Sequence, residues 1–263
     1  MKRNDFYLIV ALFSVISFTS CISGDNVQGG EALGVMGYTN NFTPVIKSPI
    51  GLFYSPTIAN LLNKGDMRDG GCYIFNYTLD GDLPENAQSV VSANGYYTIT
   101  LNAYEVIPSY NLDSYLTDTS KIMTDEVAIA VVFESSSYVD GYLFITQVAD
   151  PASNLQHDWN MSYDYSTMMP RVEGDKNYYD VYVRATKKNS NSALTSYWNA
   201  YYMKNYLRDA AYKEKASLGS GYLEASSKFT LRFIYVSAID KDTEAITWKN
   251  HPIDVLISSF LDE

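Results

Sequence analysis

The sequence predicts a mainly β protein in which a small barrel is followed by a larger β-sandwich that carries one helical segment. Apolar residues recur at every second position in several runs, the pattern of strands with one buried face. The clearest runs are residues 97–103, 179–185 and 229–235. Glycine-containing turn sequences separate such runs, because tight hairpins need residues that tolerate positive φ. These turns are Asp69-Gly70-Gly71, Asp80-Gly81-Asp82, Asn94-Gly95, Asp140-Gly141 and Glu173-Gly174-Asp175.

Two segments depart from the alternating pattern. Val127–Phe133 is apolar throughout, which predicts a central strand covered on both faces. Between Ala193 and Ala216 there is no Gly or Pro, and helix-favouring residues accumulate toward the end. Asn191 or Ser192 could cap the start and Gly219 could end the segment, so one helix is predicted here.

The domain boundary is predicted between Ile107-Pro108 and Thr124, because this stretch is polar and weakly periodic. Residues 33–108 are therefore assigned to the barrel and residues 109–263 to the sandwich. The chain is long enough to give each domain its own core. No repeat of fixed period is visible, which argues against solenoids and propellers.

The first twenty residues read as a bacterial lipoprotein signal that is removed on maturation. A basic start is followed by the short uncharged stretch Phe6–Phe18 and then by Thr19-Ser20-Cys21. This ending fits the lipobox, in which the chain is cut before the cysteine and the thiol carries diacylglycerol. Phe18 stands where Leu is commoner, and an ordinary secretory signal with an incidental cysteine remains the alternative. Lipidation at Cys21, followed by a flexible tether over residues 21–32, is the prediction.

Charge and cysteine content limit the partners and the covalent structure. The leader carries two basic residues and one acidic residue, so the mature chain has 17 basic and 29 acidic residues and a formal net charge of −12. This balance argues against nucleic acid as a partner. With Cys21 lipidated, Cys72 is the remaining cysteine. It lies in an apolar run and is predicted to be a buried core residue.

No catalytic residue, metal site or cofactor is predicted. The two histidines, His157 and His251, are far apart in sequence, and no zinc-binding or serine-nucleophile motif is present. His157 is expected in an exposed loop and His251 in a turn. Two acidic loops, residues 80–86 and 240–244, could supply oxygen ligands to calcium. Neither has EF-hand spacing, so solvated turns are the preferred interpretation.

Tyrosine is unusually frequent, with 24 residues in the chain. The predicted helix concentrates several of them, and the stripe Leu194, Tyr197, Trp198 and Tyr201 has the spacing of a core face. Tyr202 and Tyr206 would lie on an adjoining face. They are the candidate ligand platform, because tyrosine rings suit contacts with sugars or proteins.

The chain resembles the NigD-like lipoproteins of the Bacteroidetes. The residues that carry the resemblance are Cys21, Ser48–Phe53, Asp69–Phe75, Phe229–Ser237 and Ile246–Trp248. The resemblance implies that the first domain is an OB-like barrel, that the second is a β-sandwich, and that the protein sits in the cell envelope. The family brings no established catalytic residue.

The favoured function is that of a non-enzymatic outer-membrane lipoprotein, facing the periplasm or the cell surface. Its role would be binding or assembly with an envelope protein, a peptide or a glycan, which is not identified. Its membrane contact would be the lipidated Cys21. Two alternatives stay open. One is a fimbrial subunit or adhesin that assembles by strand exchange, with Ile253–Ile257 as the donated strand. The other is an accessory glycan hydrolase.

Overall fold

The computed structural model describes residues 26–116, 118–149, 156–173, 176–188, 197–218 and 228–256. They form two compact units that divide between Ile107 and Pro108, one residue before the boundary set from the sequence. The leader and Cys21 lie outside the described residues. The protein is mainly β, as the sequence predicts.

The first unit is an OB barrel built from one six-stranded sheet with the order β5-β3-β2-β1-β4-β6. Strands β5 and β6 are separated only by Ile99, yet they stand at opposite ends of this order, so the sheet must curl until its ends meet. Its elements are β1 Val27–Tyr38, β2 Pro44–Ser48, β3 Gly51–Tyr54, α1 Pro56–Lys64, β4 Cys72–Asp80, a 3-10 turn Pro84–Asn86, α2 Gln88–Asn94, β5 Tyr97–Thr98 and β6 Thr100–Ile107.

Strand β1 begins earlier than the sequence suggested. Residues 27–32 were expected to belong to the flexible tether, but they pair antiparallel with β4, and Gly29 and Gly30 lie opposite Thr78 and Tyr77. A Cβ on Gly30 would stand 3.7 Å from the Tyr77 ring. These glycines are therefore part of a strand covered by an aromatic side chain, and that part of the tether prediction is wrong.

Helices α1 and α2 were not predicted, although α1 carries recognisable signals. The Ser55 side chain accepts a hydrogen bond from the Thr57 N–H at 3.2 Å, and Pro56 occupies the first turn. Gly65 ends the helix with a φ of +80°. The Asn94-Gly95 sequence also ends a helix, α2, instead of forming the expected hairpin.

The second unit is built on one ten-stranded sheet among the described residues. The main path is β16-β15-β13-β11-β7-β14-β10-β9, and β8 and β12 pair with β13. The elements are β7 Ser109–Asp113, β8 Glu126–Val127, β9 Ile129–Val139, β10 Tyr142–Ala149, β11 His157–Ser162, β12 Arg171–Glu173, β13 Lys176–Lys187, β14 Trp198–Tyr202, α3 Lys204–Leu218, β15 Lys228–Asp240 and β16 Ala245–Leu256.

This sheet curls around a single core. Side chains from both ends of the strand order, such as Leu143 of β10 and Phe233 of β15, belong to the same buried cluster. Strand β9 at one end also lies against β15 and β16 at the other. The two layers expected of a sandwich are thus joined into one continuous, curled sheet. Asp140 and Gly141, with φ of 48° and 86°, make the predicted hairpin turn between β9 and β10.

Two predictions for this unit are wrong: where the helix begins, and that residues 127–133 form a central strand. The helix begins at Lys204, and residues 198–202 form strand β14, which pairs with β10 and β7. Aromatic side chains suit a strand when sheet partners are available, and here tertiary pairing decided the structure. The apolar run at 127–133 is also not a central strand, since β9 ends the described strand order and Ala130 is exposed.

Candidate functional site

The predicted ligand platform does not form. Tyr206 is 1% exposed, and its hydroxyl donates a hydrogen bond to the Asp180 carbonyl at 3.2 Å. Its ring packs edge-on against Tyr163, with ring centres 4.7 Å apart. Tyr202 is half-buried in β14, where its ring meets Tyr142. The two residues belong to different elements, and Tyr206 lies in the core, so they do not share an accessible helix face and the prediction of a ligand platform is wrong.

A recess of about 720 Å³ lies in the second unit. Residues 122–128 form one wall, and residues 237–244, at the β15–β16 hairpin, contribute to the opposite wall. Lys187 at the end of β13 also lines it. We call this recess the hairpin cleft. Its volume lies within the range of sites that hold ligands in proteins.

A buried ion pair holds the first wall of the hairpin cleft. Arg184 and Glu126 have side chains that are 1% and 0% exposed, and they meet through two hydrogen bonds of 2.5 and 2.6 Å. Two further guanidinium donors reach the carbonyls of Asp118 at 2.9 Å and Lys121 at 2.6 Å. The guanidinium of Arg184 also lies over the Trp248 ring, with its central carbon 5.7 Å from the ring centre. The 118–126 loop is therefore fixed to β13 from within.

Glu126 completes this frame. Its second oxygen accepts a hydrogen bond from the Met123 N–H at 2.8 Å. The backbone N–H of Lys187 donates to the Asp125 carbonyl at 2.9 Å. A carboxylate that is fully buried and bonded on both oxygens is committed to structure. Although Glu126 borders the cleft, it supplies no free acid or base to it.

Two residues with left-handed backbone conformations line the hairpin cleft. The described residues include four non-glycine positions with positive φ, and two of them, Asp125 at 58° and Glu244 at 54°, line the cleft from opposite walls. Such conformations persist when the surroundings enforce them, and they cluster at functional sites. The rigid frame around Arg184 provides that enforcement for Asp125.

The lining of the hairpin cleft suits binding and offers little for catalysis. Apolar side chains such as Ile122 and Ile239 stand beside charged ones of both signs, for example Lys241 and Glu244. Among the lining residues that the structure describes there is no histidine, cysteine or aromatic ring. The cleft can accept a ligand in which an apolar group is flanked by charged or hydrogen-bonding groups.

The other residues singled out from the sequence serve the fold. Cys72 is 1% exposed, as predicted. His157 is 7% exposed at the start of β11, where it is neither exposed nor in a loop. His251 is half-buried within β16 opposite Phe233, so it does not lie in a turn. The Trp198 and Tyr201 side chains are buried as expected, but from strand β14.

The acidic loops use their carboxylates to shape turns. The Asp240 side chain accepts backbone hydrogen bonds from Asp242 at 2.9 Å and Thr243 at 3.2 Å. A hydrogen bond from the Thr243 side chain, followed by these backbone bonds, lowers the pKa of Asp240. Asp80 accepts in the same way from the Asp82 N–H. Across the described part of the chain, no three histidine, cysteine or acidic residues are grouped to hold a metal ion.

Within the part of the chain that the structure describes, every helix is too short or too polar to span a bilayer. Residues 24–105 are similar to the family described as lipoprotein OB domain. No curated protein is detectably similar to the chain.

Solved structures from the Bacteroidetes share the fold over most of the chain. A protein of uncharacterised function from Parabacteroides merdae ATCC 43184 superposes with a TM-score of 0.67 and 22% identity, covering 86% of this chain and 98% of its own. A protein from Bacteroides fragilis NCTC 9343, described as a candidate lipoprotein, gives 0.52 and 11%, covering 86% and 97%. A protein of unknown function from Bacteroides vulgatus ATCC 8482 gives 0.50 and 13%, covering 87% and 91%. At these identities, the likeness concerns the fold.

Proposed function

We propose that the protein is an outer-membrane lipoprotein, anchored through Cys21 and facing the periplasm or the cell surface. The lipobox-like leader and the similarity of residues 24–105 to lipoprotein OB domains support the proposal. The resemblance to NigD-like lipoproteins agrees with it. A lipidated cysteine carries several acyl chains, which suffices for stable attachment without a membrane-spanning helix.

Its proposed role is to bind a partner without catalysing a reaction. The observation that carries this proposal is the presence of the hairpin cleft. The cleft is large enough for a ligand, and a buried ion pair prevents its wall from collapsing. Its one fully buried carboxylate is already bonded to Arg184. A site with a rigid frame, whose buried carboxylate serves structure and whose other charged groups are exposed to water, favours recognition over catalysis.

The preferred ligand is an extended segment of another envelope protein. Sugar sites rely on aromatic rings that stack on the pyranose face, and the described residues that line the hairpin cleft include no ring. Its mixture of apolar and oppositely charged side chains instead fits a peptide with an apolar residue between polar groups. A protein partner is therefore favoured over a glycan.

The strand-exchange alternative finds less support. Residues 253–256, part of the candidate donor strand, pair with residues 228–231 of β15 in the same chain. This pairing occupies the edge that a donated strand would use in a neighbour. The hydrolase alternative would require one carboxyl group that its surroundings keep protonated as a general acid. Asp125 and Glu244, which line the hairpin cleft beside the ion-paired Glu126, are instead exposed to water.

Cross-linking inside living cells tests the binding role. The photoreactive residue p-benzoylphenylalanine is placed at Ile239, which lines the cleft, and at Val172, which is 70% exposed in β12 and does not line it. We expect one discrete adduct with an envelope protein from position 239 and none from position 172. Identical adducts from both positions, or adducts with glycan alone, would contradict a protein-binding cleft.

Anchorage is tested in the same cells by labelling with an alkyne analogue of palmitate. Label should enter the wild-type protein and be absent from Cys21→Ser. A labelled Cys21→Ser protein, or an unlabelled wild type, would show that Cys21 is not the attachment site.

A further inference from the structure

Phe42, in the barrel, also has a left-handed backbone conformation, which a phenylalanine side chain disfavours. It lies in the connection between β1 and β2 with a φ of +60°, and its side chain is 84% exposed. A positive φ is uncommon outside glycine and, for a bulky residue, is an outlier that needs a cause. Asp140, by contrast, is explained by its hairpin turn.

The turn around Phe42 is held by hydrogen bonds. The Phe42 N–H donates to the Thr39 carbonyl at 2.9 Å, and the Thr39 N–H donates to the Thr43 carbonyl at 3.0 Å. The Thr39 hydroxyl accepts from the N–H groups of Asn41 and Thr43, at 3.3 and 3.2 Å. This is a three-residue hairpin loop in which the last position is left-handed, and glycine is the usual residue there. We call residues 39–43 the Phe42 tip.

Folding of the barrel does not account for a phenylalanine at this position. Its ring is mostly in water and is not part of the barrel core. Glycine would relieve the backbone strain, and asparagine, which the chain uses at the two preceding positions, tolerates it well. A large exposed ring on a braced loop is typical of the anchor residue of a protein interface.

The position of the tip indicates what it meets. The chain enters the barrel at Asn26, which is fixed by the Gly81 N–H at 2.8 Å and by the Asp82 carboxylate at 2.7 Å. From there β1 runs for 12 residues to the hairpin, a path of about 36 Å. The six residues 21–26 extend over about 20 Å at most. The Phe42 tip is thus at the opposite end of β1 from Asn26, where the chain enters the barrel, and its loop neighbours are uncharged.

We propose that the Phe42 tip docks into an apolar pocket of a second envelope protein. The preference for a protein over the bilayer rests on the Cys21 anchorage proposed above, because that anchorage places the lipid at the other end of β1. The surface is separate from the hairpin cleft: it belongs to the barrel, and its key residue is one side chain.

The first test separates docking from folding. Phe42→Gly should leave the melting temperature unchanged or raise it, since it removes strain and no buried contact. Tyr115→Ser is the matched control, because Tyr115 is 85% exposed in a loop without positive φ. A lower melting temperature for Phe42→Gly would show that the ring stabilises the barrel and would overturn the proposal.

The second test identifies the partner with the full-length, lipidated protein. p-Benzoylphenylalanine at position 42, but not at position 115, should give one adduct with an envelope protein. That protein, once purified, should bind wild type at least ten-fold more tightly than Phe42→Gly and within two-fold of Tyr115→Ser. An adduct with a second copy of this chain, no adduct, or equal affinities would overturn the proposal.

A vesicle assay covers the remaining alternative. If Phe42→Gly abolished co-flotation of the Cys21→Ser protein with phosphatidylethanolamine–phosphatidylglycerol vesicles, the tip would be a bilayer contact and the proposal would fail. The palmitate labelling described above reports on anchorage alone. Loss of that label with a persistent Phe42-dependent partner would therefore reject the anchor while leaving the docking tip intact.

Discussion

The two units differ in what fills their interiors. In the described barrel, Ser55 is the one buried polar residue, and the core consists of apolar and aromatic side chains. The described part of the second unit buries Arg184, Arg232, Gln147 and Asn199, among others. An apolar core specifies shape by packing, whereas buried polar groups must find particular partners. The hairpin cleft occurs in the unit whose interior contains such pairings, and one of them holds the cleft wall.

The largest expected effect is the loss of an aromatic ring from the barrel core. Phe75 is 1% exposed and lies 5.8 Å from the Phe53 ring and 5.7 Å from the Tyr77 ring. Phe75→Ala should lower the free energy of unfolding of the barrel by about 4 kcal/mol. Hydrogen exchange followed by mass spectrometry should show the loss in residues 27–107 and leave the second unit unchanged.

Val106→Ala in β6 is the control for this variant. Val106 is 51% exposed, so the change should alter stability by less than about 0.5 kcal/mol. Equal losses from the two variants would mean that the barrel does not depend on its aromatic core.

Breaking the buried ion pair should have the next largest effect, and in the other unit. Glu126→Gln leaves the Arg184 charge buried without its counter-charge, which should cost about 3 kcal/mol of stability. The double variant Glu126→Leu with Arg184→Met should recover much of this, because apolar side chains replace a buried pair at little cost. Chemical denaturation of the three variants measures both effects.

The double variant also separates stability from cleft geometry. It removes the donors that hold the Asp118 and Lys121 carbonyls, so amides of residues 118–125 should exchange faster even where stability is restored. Unchanged exchange in that loop would show that the ion pair does not hold the cleft wall.

A smaller effect on the stability of the second unit is expected at alkaline pH. Burial, followed by the nearby Asp209 carboxylate, raises the pKa of Tyr163 from 10.0 to about 12. The unfolded chain therefore loses this proton first, so the stabilising contribution is complete below about pH 10 and disappears as the pH rises through about 12. Tyr163→Phe should make the alkaline loss of stability in the second unit less steep, as followed by thermal unfolding between pH 9 and 12. The same slope in both proteins would contradict this assignment.

The smallest predicted effect is in the barrel. Burial and the charge of Glu31 raise the pKa of Glu105, and one of its oxygens is buried without a hydrogen-bond partner. Its destabilising effect grows as the pH rises through that raised pKa, so it is fully present at neutral pH. Glu105→Gln should stabilise the barrel by a few tenths of a kcal/mol at pH 7 and have no effect at pH 3. Denaturant midpoints at the two pH values provide the measurement.

Local sequence patterns predicted those parts of the fold that depend on local chemistry. Alternating apolar residues identified β13, where Tyr179, Val181 and Val183 are buried, and Asp140-Gly141 identified a hairpin. The start of α3 could not be read in the same way. Trp198–Tyr202 is a strand because β10 and β7 pair with it from elsewhere in the chain, and a local window does not contain those partners.

The hairpin cleft and the Phe42 tip could not be predicted from local sequence patterns either. Arg184 and Glu126 are 58 residues apart, and the walls of the hairpin cleft are separated by more of the chain still. Phe42 carries no local signal either, since left-handed positions are usually marked by glycine or asparagine. The ligand platform was predicted in the tyrosine-rich segment because its composition can be read directly from the sequence. The burial of Tyr206 could not be read there, since it depends on contacts with Tyr163 and Asp180.

The most direct test of the account compares hydrogen exchange of the lipidated protein in native outer-membrane vesicles with that of the same protein purified in detergent. Bound partners should slow exchange at residues 122–130 and 237–245, which border the hairpin cleft, and at residues 39–43 of the Phe42 tip. Residues 171–173 of β12, which border neither surface, should exchange equally in both samples. Identical exchange throughout would contradict the claim that this is a binding protein with its partners in the envelope.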